Sequence, residues 1–499
     1  LLLVTCGLLA AAGASGCVTP PPATTTDAGG IQHDDGSTVA TDVEAEGSDS
    51  NSDSRPPTRP NVLILLTDDQ RWDTVHALGN QMIQTPNMDR LVRAGTSFSQ
   101  ATCLGGINGA LCMTSRAALM TGRTINHLSV NGDIPADQMT LPELLRQAGY
   151  VTFATGKWHN DMPSHTRIFD QADNIFFGGM HFPEDGGHEH PLLYHFDPTG
   201  AYPFDARFVG DKFSSVMYAD AAIEFLTTRP QDGRPFFAYV AFTAPHDPRT
   251  PPAPFAAMYD ASQTPLPDNF LPEHPFDNGD LHNRDESLLD IPRDPELIKK
   301  AIAAYYGMIT EVDSEIGRIL DTLDQQGLFE NTIIVFAGDN GLALGAHGLL
   351  GKQNLYEESM RIPMVFVGPG IAANVVSEQF AQLHDLMPTV AALLGIDPPA
   401  SSEGSALLGT NANAFSRPAA YFQYYEYHRG IRTADRWKLI GYHLTVPGPL
   451  FDRVQLFDLN ADPKELNDLS AVGAYQTKLS ALESLLASER VRHDDPLVK

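Results

Sequence analysis

Val62-Leu63-Ile64-Leu65-Leu66, followed at once by Thr67-Asp68-Asp69, is the stretch on which the fold turns. Five apolar residues in a row, without polar alternation, suit a strand covered on both faces rather than one with a wet side. Four further runs share this character: Val151 to Ala154, Phe236 to Phe242, Thr332 to Phe336 and Pro363 to Val367. Between them lie helical patterns. Leu141 to Gly149 closes on a glycine, Phe213 to Thr227 is longer, and Ile298 to Gln326 is longer still. Strands alternating with helices predict an α/β layer fold, a large mainly parallel sheet sandwiched by helices. After about Pro399 the character changes. Ala420 to His428, Gly430 to His443 and Val454 to Leu459 read as short strands with turns, and a helix over about Ala474 to Glu489 closes the chain. The expected division is a main domain over 59–398 and a smaller C-terminal α+β subdomain over 399–499. The stretches 174–211, rich in Gly, His, Phe and Pro, and 251–290, rich in Pro and Asp, read as long loops that shape a substrate mouth.

Ahead of this folded part, Leu1 to Cys17 are apolar and small. The stretch is too short to span a bilayer and reads as the apolar part of a secretory signal. Ala14-Ser15-Gly16-Cys17 resembles a bacterial lipobox, in which the cysteine receives lipid. That resemblance predicts an exported protein, periplasmic or on the cell surface, held to the membrane through a lipidated Cys17. A plain cleaved signal is the alternative. Residues 18–58 combine Pro20-Pro21-Pro22 with Thr, Gly, Ser and acidic residues, leave almost nothing to bury, and predict a disordered acidic tether. Across the whole chain 62 acidic residues stand against 33 Lys and Arg, a net charge of -29. This argues against a nucleic-acid partner, which needs clustered basic residues.

The residues just beyond each apolar run point to one site. Asp68 and Asp69 come after the first. Gly156-Lys157-Trp158-His159 come after the Val151 run, Pro245-His246 after the Phe236 run, and Gly338-Asp339-Asn340 after the Thr332 run. Ligands of parallel sheets bind outside the carboxyl ends of the strands, so four segments converge there. Asp68, Asp69, Asp339 and Asn340 offer only oxygens, which favour calcium or magnesium over zinc. Carboxylates gathered so closely repel one another unless a cation sits among them. The segment Cys112-Met113-Thr114-Ser115-Arg116, running on to Thr121-Gly122, reads as a cysteine just before a short helix, where N–H groups and partial positive charge favour an anion or a thiolate. Spacing alone leaves open a buried structural cysteine or a bridge to Cys103.

The combined pattern resembles the sulfatase family. The family signature, Cys-x-Pro-Ser-Arg, four residues, then Thr-Gly, is matched by Cys112, Ser115, Arg116, Thr121 and Gly122, with Thr114 in place of the usual Pro. Asp68-Asp69-Gln70, Thr85-Pro86-Asn87, Gly156-Lys157-Trp158-His159, Pro245-His246, Gly338-Asp339-Asn340-Gly341, Gly351-Lys352, Tyr356-Glu357 and Arg361-Ile362-Pro363 occur in the family's order, and Leu456-Phe457-Asp458-Leu459 with Asp462-Pro463 resembles its C-terminal motif. The resemblance covers roughly residues 59 to 470 and implies an alkaline-phosphatase-like fold and hydrolysis of sulfate esters. It further implies oxidation of Cys112 to formylglycine by a maturation enzyme and one calcium ion on Asp68, Asp69, Asp339, Asn340 and the group made from Cys112. By the same resemblance Arg116 supports the formylglycine hydroxyl, and Lys157 neutralises it or the sulfate. His159 triggers release, and His246 and Lys352 hold the sulfate and protonate the leaving oxygen. His347 either lines the leaving-group pocket or is a plain loop residue. The Leu344–Glu357 segment looks most like bacterial carbohydrate sulfatases, so a sulfated carbohydrate is the expected substrate. Two other readings are a phosphonate monoester or phosphodiester hydrolase with the same machinery, and a silent lipoprotein that only binds sulfated glycans. The second expects losses among these residues, and none is lost.

Overall fold

Leu63 and Leu65 of the opening run point to one face of a sheet, Val62, Ile64 and Leu66 to the other, and all five are fully buried. That is why the run carries no polar alternation. The computed structural model describes residues 59–229, 232–409, 412, 417–444 and 451–498. The expected signal segment with Cys17, and the acidic tether over 18–58, lie outside these described residues.

The strands in chain order are β1 (Asn61–Thr67), β2 (Thr96–Thr102), β3 (Gly105–Gly106), β4 (Val151–Lys157), β5 (Gln171–Phe176), β6 (Leu192–Leu193), β7 (Phe208–Val209), β8 (Phe236–Ala241), β9 (Thr332–Gly338), β10 (Met364–Val367), β11 (Val375–Gln382), β12 (Ala419–Tyr424), β13 (His428–Thr433), β14 (Trp437–Tyr442) and β15 (Arg453–Asp458). One sheet has the order β11-β2-β10-β9-β1-β8-β4-β5. β1 runs parallel to both neighbours, β4 to β8 and β5, and β11 to β2, while β10 is antiparallel to β9 and β2. The mainly parallel α/β sheet expected from the apolar runs is thus the observed one.

On one face pack the helices Pro86–Ala94, Ser214–Thr228 and Pro295–Gln325. The last is long because it starts firmly: Asp294 accepts hydrogen bonds from the Glu296 and Leu297 amides, and Pro295 takes the first helical position. Against the other face lie the helix Leu111–Thr121 and the small sheet, of order β15-β14-β13-β12-β3. β3, from early in the chain, pairs with β12 through Gly105↔Gln423 and Gly106↔Tyr424. Two of the expected C-terminal strands divide. Ala420 to His428 breaks at Tyr425, whose φ of 46° turns the backbone, and Gly430 to His443 folds back on itself. Arg436, at φ 64°, closes that second turn by donating its amide to the Thr433 carbonyl.

Candidate active site

The register of the large sheet builds the site. Thr67 pairs with Gly338, and both Leu66 and Gly156 face Ala241. The carboxyl ends of β9, β1, β8 and β4 therefore lie side by side, and Asp339, Asp68, His246 and Lys157 leave the sheet at one edge. Asp339 Oδ1 accepts from the Asp69 amide at 3.0 Å. Asp69 adopts φ 64°, a conformation that costs a non-glycine residue about 1–3 kcal/mol and persists only when its neighbours fix it. Tyr305, from the long helix, does so: its hydroxyl donates to the Asp69 carbonyl at 2.6 Å and accepts from the Arg71 amide at 2.8 Å.

Cys112 stands in the first turn of the helix Leu111–Thr121, not ahead of it as the sequence suggested. A tight turn, in which Asn108 Oδ1 accepts from the Ala110 amide at 2.8 Å, starts the helix early. Thr114, at the position where the family signature has Pro, is buried and its hydroxyl accepts from the Ile107 amide at 3.4 Å. Cys103 and Cys112 are both free thiols, so no bridge joins them. Cys103 faces the Ser359 carbonyl at 3.8 Å and Met360 Sδ at 3.9 Å.

Around Cys112 Sγ two ammonium groups converge, Lys157 Nζ at 3.6 Å and Lys352 Nζ at 3.7 Å. Burial nonetheless pushes the thiol up to about 11, against the pull of these lysines. Lys157 also donates to Asp68 Oδ2 and to the Gly179 carbonyl, each at 2.5 Å, and Lys352 donates to Asp69 Oδ1 at 2.6 Å. Arg116 is fully buried. It grips Asp339 Oδ2 through Nη2 at 2.9 Å and Nε at 3.1 Å, and donates to the Lys157 carbonyl at 2.7 Å. Burial opposes ionisation of Asp68, but Lys157, His246, Arg116 and Lys352 outweigh it and hold the carboxyl well below its usual range. Burial and the charge of Asp68 push Asp339 up to about 6.

The two predicted histidines differ in charge. His246 Nε2 lies 3.7 Å from Asp69 Oδ2 and its Nδ1 faces the Asp247 carbonyl at 3.0 Å. Burial and Lys352 work against its protonated form, yet Asp69, Asp68 and Asp247 prevail and raise its pKa. His159 is lowered well below its ordinary value by burial and by Lys157, so it is neutral. Its Nδ1 is buried without a hydrogen-bond partner. His347 goes elsewhere. Its ring stacks on Tyr356 at 3.8 Å and its Nε2 meets Asn269 Nδ2 at 2.9 Å, within a buried group that includes Glu358 and Glu465. None of these partners among the described residues belongs to the Cys112 constellation.

The oxygens of Asp68, Asp69 and Asn340 suit a hard cation, while both Asp339 oxygens already accept from the Asp69 amide and from Arg116. Ligand atoms of Asp68, Asp69, Cys112 and His246 lie within 4.8 Å of one another and are buried. Asp68 Oδ1 and Asn340 Oδ1 are buried oxygens without any hydrogen-bond partner, an arrangement that costs about 1–3 kcal/mol each unless something positive meets them. Asn340 Nδ2 donates to Asp69 Oδ1 at 2.7 Å, which turns the amide into the same cluster.

The supports of Lys352 were not visible in the sequence. Its own amide donates to Gln353 Oε1 at 3.0 Å, and Gln353 Nε2 donates to Asp285 Oδ2 at 2.8 Å. Glu286 accepts from the Leu350 and Gly351 amides, both at 2.9 Å, and pairs with the fully buried Arg293. Asp285 and Glu286 come from the stretch 251–290, where only a Pro- and Asp-rich composition hinted at a site, and Arg293 lies just beyond it.

Buried carboxylates, three cations and a thiol gathered at the carboxyl ends of a doubly covered, mainly parallel sheet make a site suited to an anionic ligand. Residues 60–396 match the sulfatase family, and residues 345–492 match the family described as N-sulphoglucosamine sulphohydrolase, C-terminal. The chain belongs to the sulfatase family and is a sulfuric ester hydrolase. It is 28% identical to the N-acetylglucosamine-6-O-sulfatase of Bacteroides thetaiotaomicron, over 88% of this chain and 87% of that protein. A solved structure of BT4656 in complex with its substrate D-glucosamine-2-N,6-O-disulfate is 27% identical, with a TM-score of 0.71, over 88% of this chain and 98% of that one. The phosphonate monoester hydrolase of Agrobacterium radiobacter, 22% identical over 87% of this chain and 96% of its own, has a TM-score of 0.68 and shares the fold.

Proposed function

We propose that this sulfatase removes sulfate from a sulfated carbohydrate, using a formylglycine made from Cys112 by a maturation enzyme and one calcium ion held by Asp68, Asp69, Asp339 and Asn340. The observation that carries the reading is the buried Cys112 Sγ with Lys157 and Lys352 ammonium groups 3.6 and 3.7 Å away. The relatives named for carbohydrate sulfate esters support the substrate class. The leading segment and Cys17 support export with a lipid anchor.

Calcium would supply fixed positive charge for the sulfate oxygens and for a hydroxyl beside it. Formylglycine, as its hydrate, would supply one hydroxyl to attack sulfur and a second whose deprotonation expels sulfate. The chain's own groups do the rest. Lys157 and Lys352 meet the anionic ester where it approaches residue 112. Arg116, immobilised by Asp339 and the Lys157 carbonyl, stands with its charge between Asp339 and Asp68, whose Oδ2 is 3.9 Å away. His246, favoured in its protonated form, carries the proton that the leaving alkoxide needs. His159, held neutral, is free to take one.

Peptide mass spectrometry of the segment around Cys112, on protein from its native host, tests the nucleophile. The expected mass is that of the aldehyde, and Cys112→Ala should abolish sulfate release while the fold remains intact. An unmodified thiol in a fully active enzyme would overturn the assignment. Rates on aryl sulfate and aryl phosphonate, measured side by side, should favour the sulfate, and the reverse order would move the protein to the phosphonate reading.

A further inference from the structure

One arginine stands behind both His246 and Lys352. Arg284 lies in the stretch 251–290, and its side chain is 44% exposed. Its Nη1 donates to Asp247 Oδ1 at 2.8 Å, and its Nη2 pairs with Asp247 Oδ2. A planar guanidinium that meets a carboxylate at two points fixes its orientation as well as its charge. Asp247 Oδ1, the oxygen gripped by Nη1, also faces His246 Nδ1 at 3.2 Å. In this direction the contacts end at the histidine.

In the other direction they end at the lysine. The same Nη1 donates to Asp285 Oδ1 at 3.1 Å. Asp285 Oδ2 accepts from Gln353 Nε2 at 2.8 Å, and Gln353 Oε1 accepts from the Lys352 amide at 3.0 Å. His246 follows directly on β8, whereas Lys352 lies on a loop beyond β9, so the register of the large sheet does not set one against the other. Asp247 and Asp285 are both buried, and like charges this close repel unless a cation stands between them. Among the described residues, Arg284 is the one cation in hydrogen-bond contact with both.

We propose that Arg284 is a positioning residue, which sets the proton donor His246 against Lys352 by holding Asp247 and Asp285 in a single guanidinium. The proposal rests on the roles given to His246 and Lys352 above. A misplaced proton donor has a signature. A weakly basic leaving oxygen departs without much help, whereas a strongly basic one needs the proton.

Kinetics on 4-nitrophenyl sulfate and phenyl sulfate test it, with Arg284→Ala and Arg284→Lys in the full chain. Both variants should lose about tenfold more kcat on phenyl sulfate, the more basic leaving group, with KM nearly unchanged. Lysine keeps a positive charge beside the buried carboxylates but cannot grip both at once, so it decides the matter should the alanine variant not fold. Equal losses on the two esters, no loss, or a change in KM alone overturns the proposal. Crystal structures of the wild type and of the variant that folds supply a readout apart from turnover. The His246 ring or Lys352 Nζ should shift, and finding both unmoved overturns the proposal. If the wild type cleaves neither ester, the proposed activity falls and the crystal comparison decides the positioning. If it cleaves both and the bias is missing, the positioning alone falls.

Discussion

Glu311 allows a quantitative prediction. It sits on the long helix Pro295–Gln325, is 1% exposed, and neither of its carboxylate oxygens has a hydrogen-bond partner. Burial, with the charge of Glu315 adding to it, pushes its pKa up from 4.5 to about 8. At neutral pH the folded protein keeps this proton, whereas the unfolded chain has lost it. The stability this group allows is therefore full below about pH 4.5, declines by about 1.4 kcal/mol per unit above it, and stops declining above about pH 8. The penalty reaches about 3 kcal/mol at pH 7 and about 5 kcal/mol at most. Glu311→Gln keeps the shape and removes the titration. Denaturant unfolding of the wild type and the variant, paired at pH 5, 7 and 8.5 in one calcium concentration, isolates the effect, because every other titrating group cancels in the difference. The variant should be more stable by less than about 1 kcal/mol at pH 5 and by several at pH 8.5. A difference that does not grow with pH would refute the reasoning. Tyr305 lies on the same helix and pins Asp69, so the variant should keep its activity over a wider pH range as well.

Asp339→Ala should lose bound calcium by elemental analysis and lower activity by about a thousandfold; unchanged metal content would refute the ligand assignment. Gly179→Ala would place a methyl carbon 2.9 Å from His159 Nε2, so kcat should fall about ten- to a hundredfold with the melting temperature nearly unchanged. Glu286→Gln leaves the buried Arg293 without its counter-charge and should destabilise the protein by about 3 kcal/mol. It should also lower kcat through a loosened Lys352, and a fall in stability alone would show that the loop does not position the lysine.

The central strands β9, β1, β8 and β4 were legible because a strand buried on both faces needs an uninterrupted apolar run. Those same strands carry Asp339, Asp68, His246 and Lys157, so most of the site was legible with them. β2 was not, for it reads Thr-Ser-Phe-Ser-Gln-Ala-Thr, and Ser97, Gln100 and Thr102 are buried all the same. The edge strands β5 and β11 were missed too: β11 is largely exposed and polar, and pairs with β2 across an irregular register. Gly179, Glu286 and Arg293 escaped notice because loops have no period, and their roles arise only from what they touch. His347, for which the sequence left open a place in the pocket or a plain loop position, packs against Tyr356 and Asn269.

The pairing of Thr67 with Gly338 has an evolutionary side. Sliding one strand by a single residue would move a carboxylate about 3.3 Å and turn it to the wrong face, so the spacing between Asp68 and Asp339 is inherited from the ladder and cannot be tuned piecemeal. Most of the length of the segments over 177–211 and 251–290 lies outside the large sheet's ladder. A lineage built on this scaffold can exchange those segments to meet new esters, and its reaction centre stays in place while its diet changes.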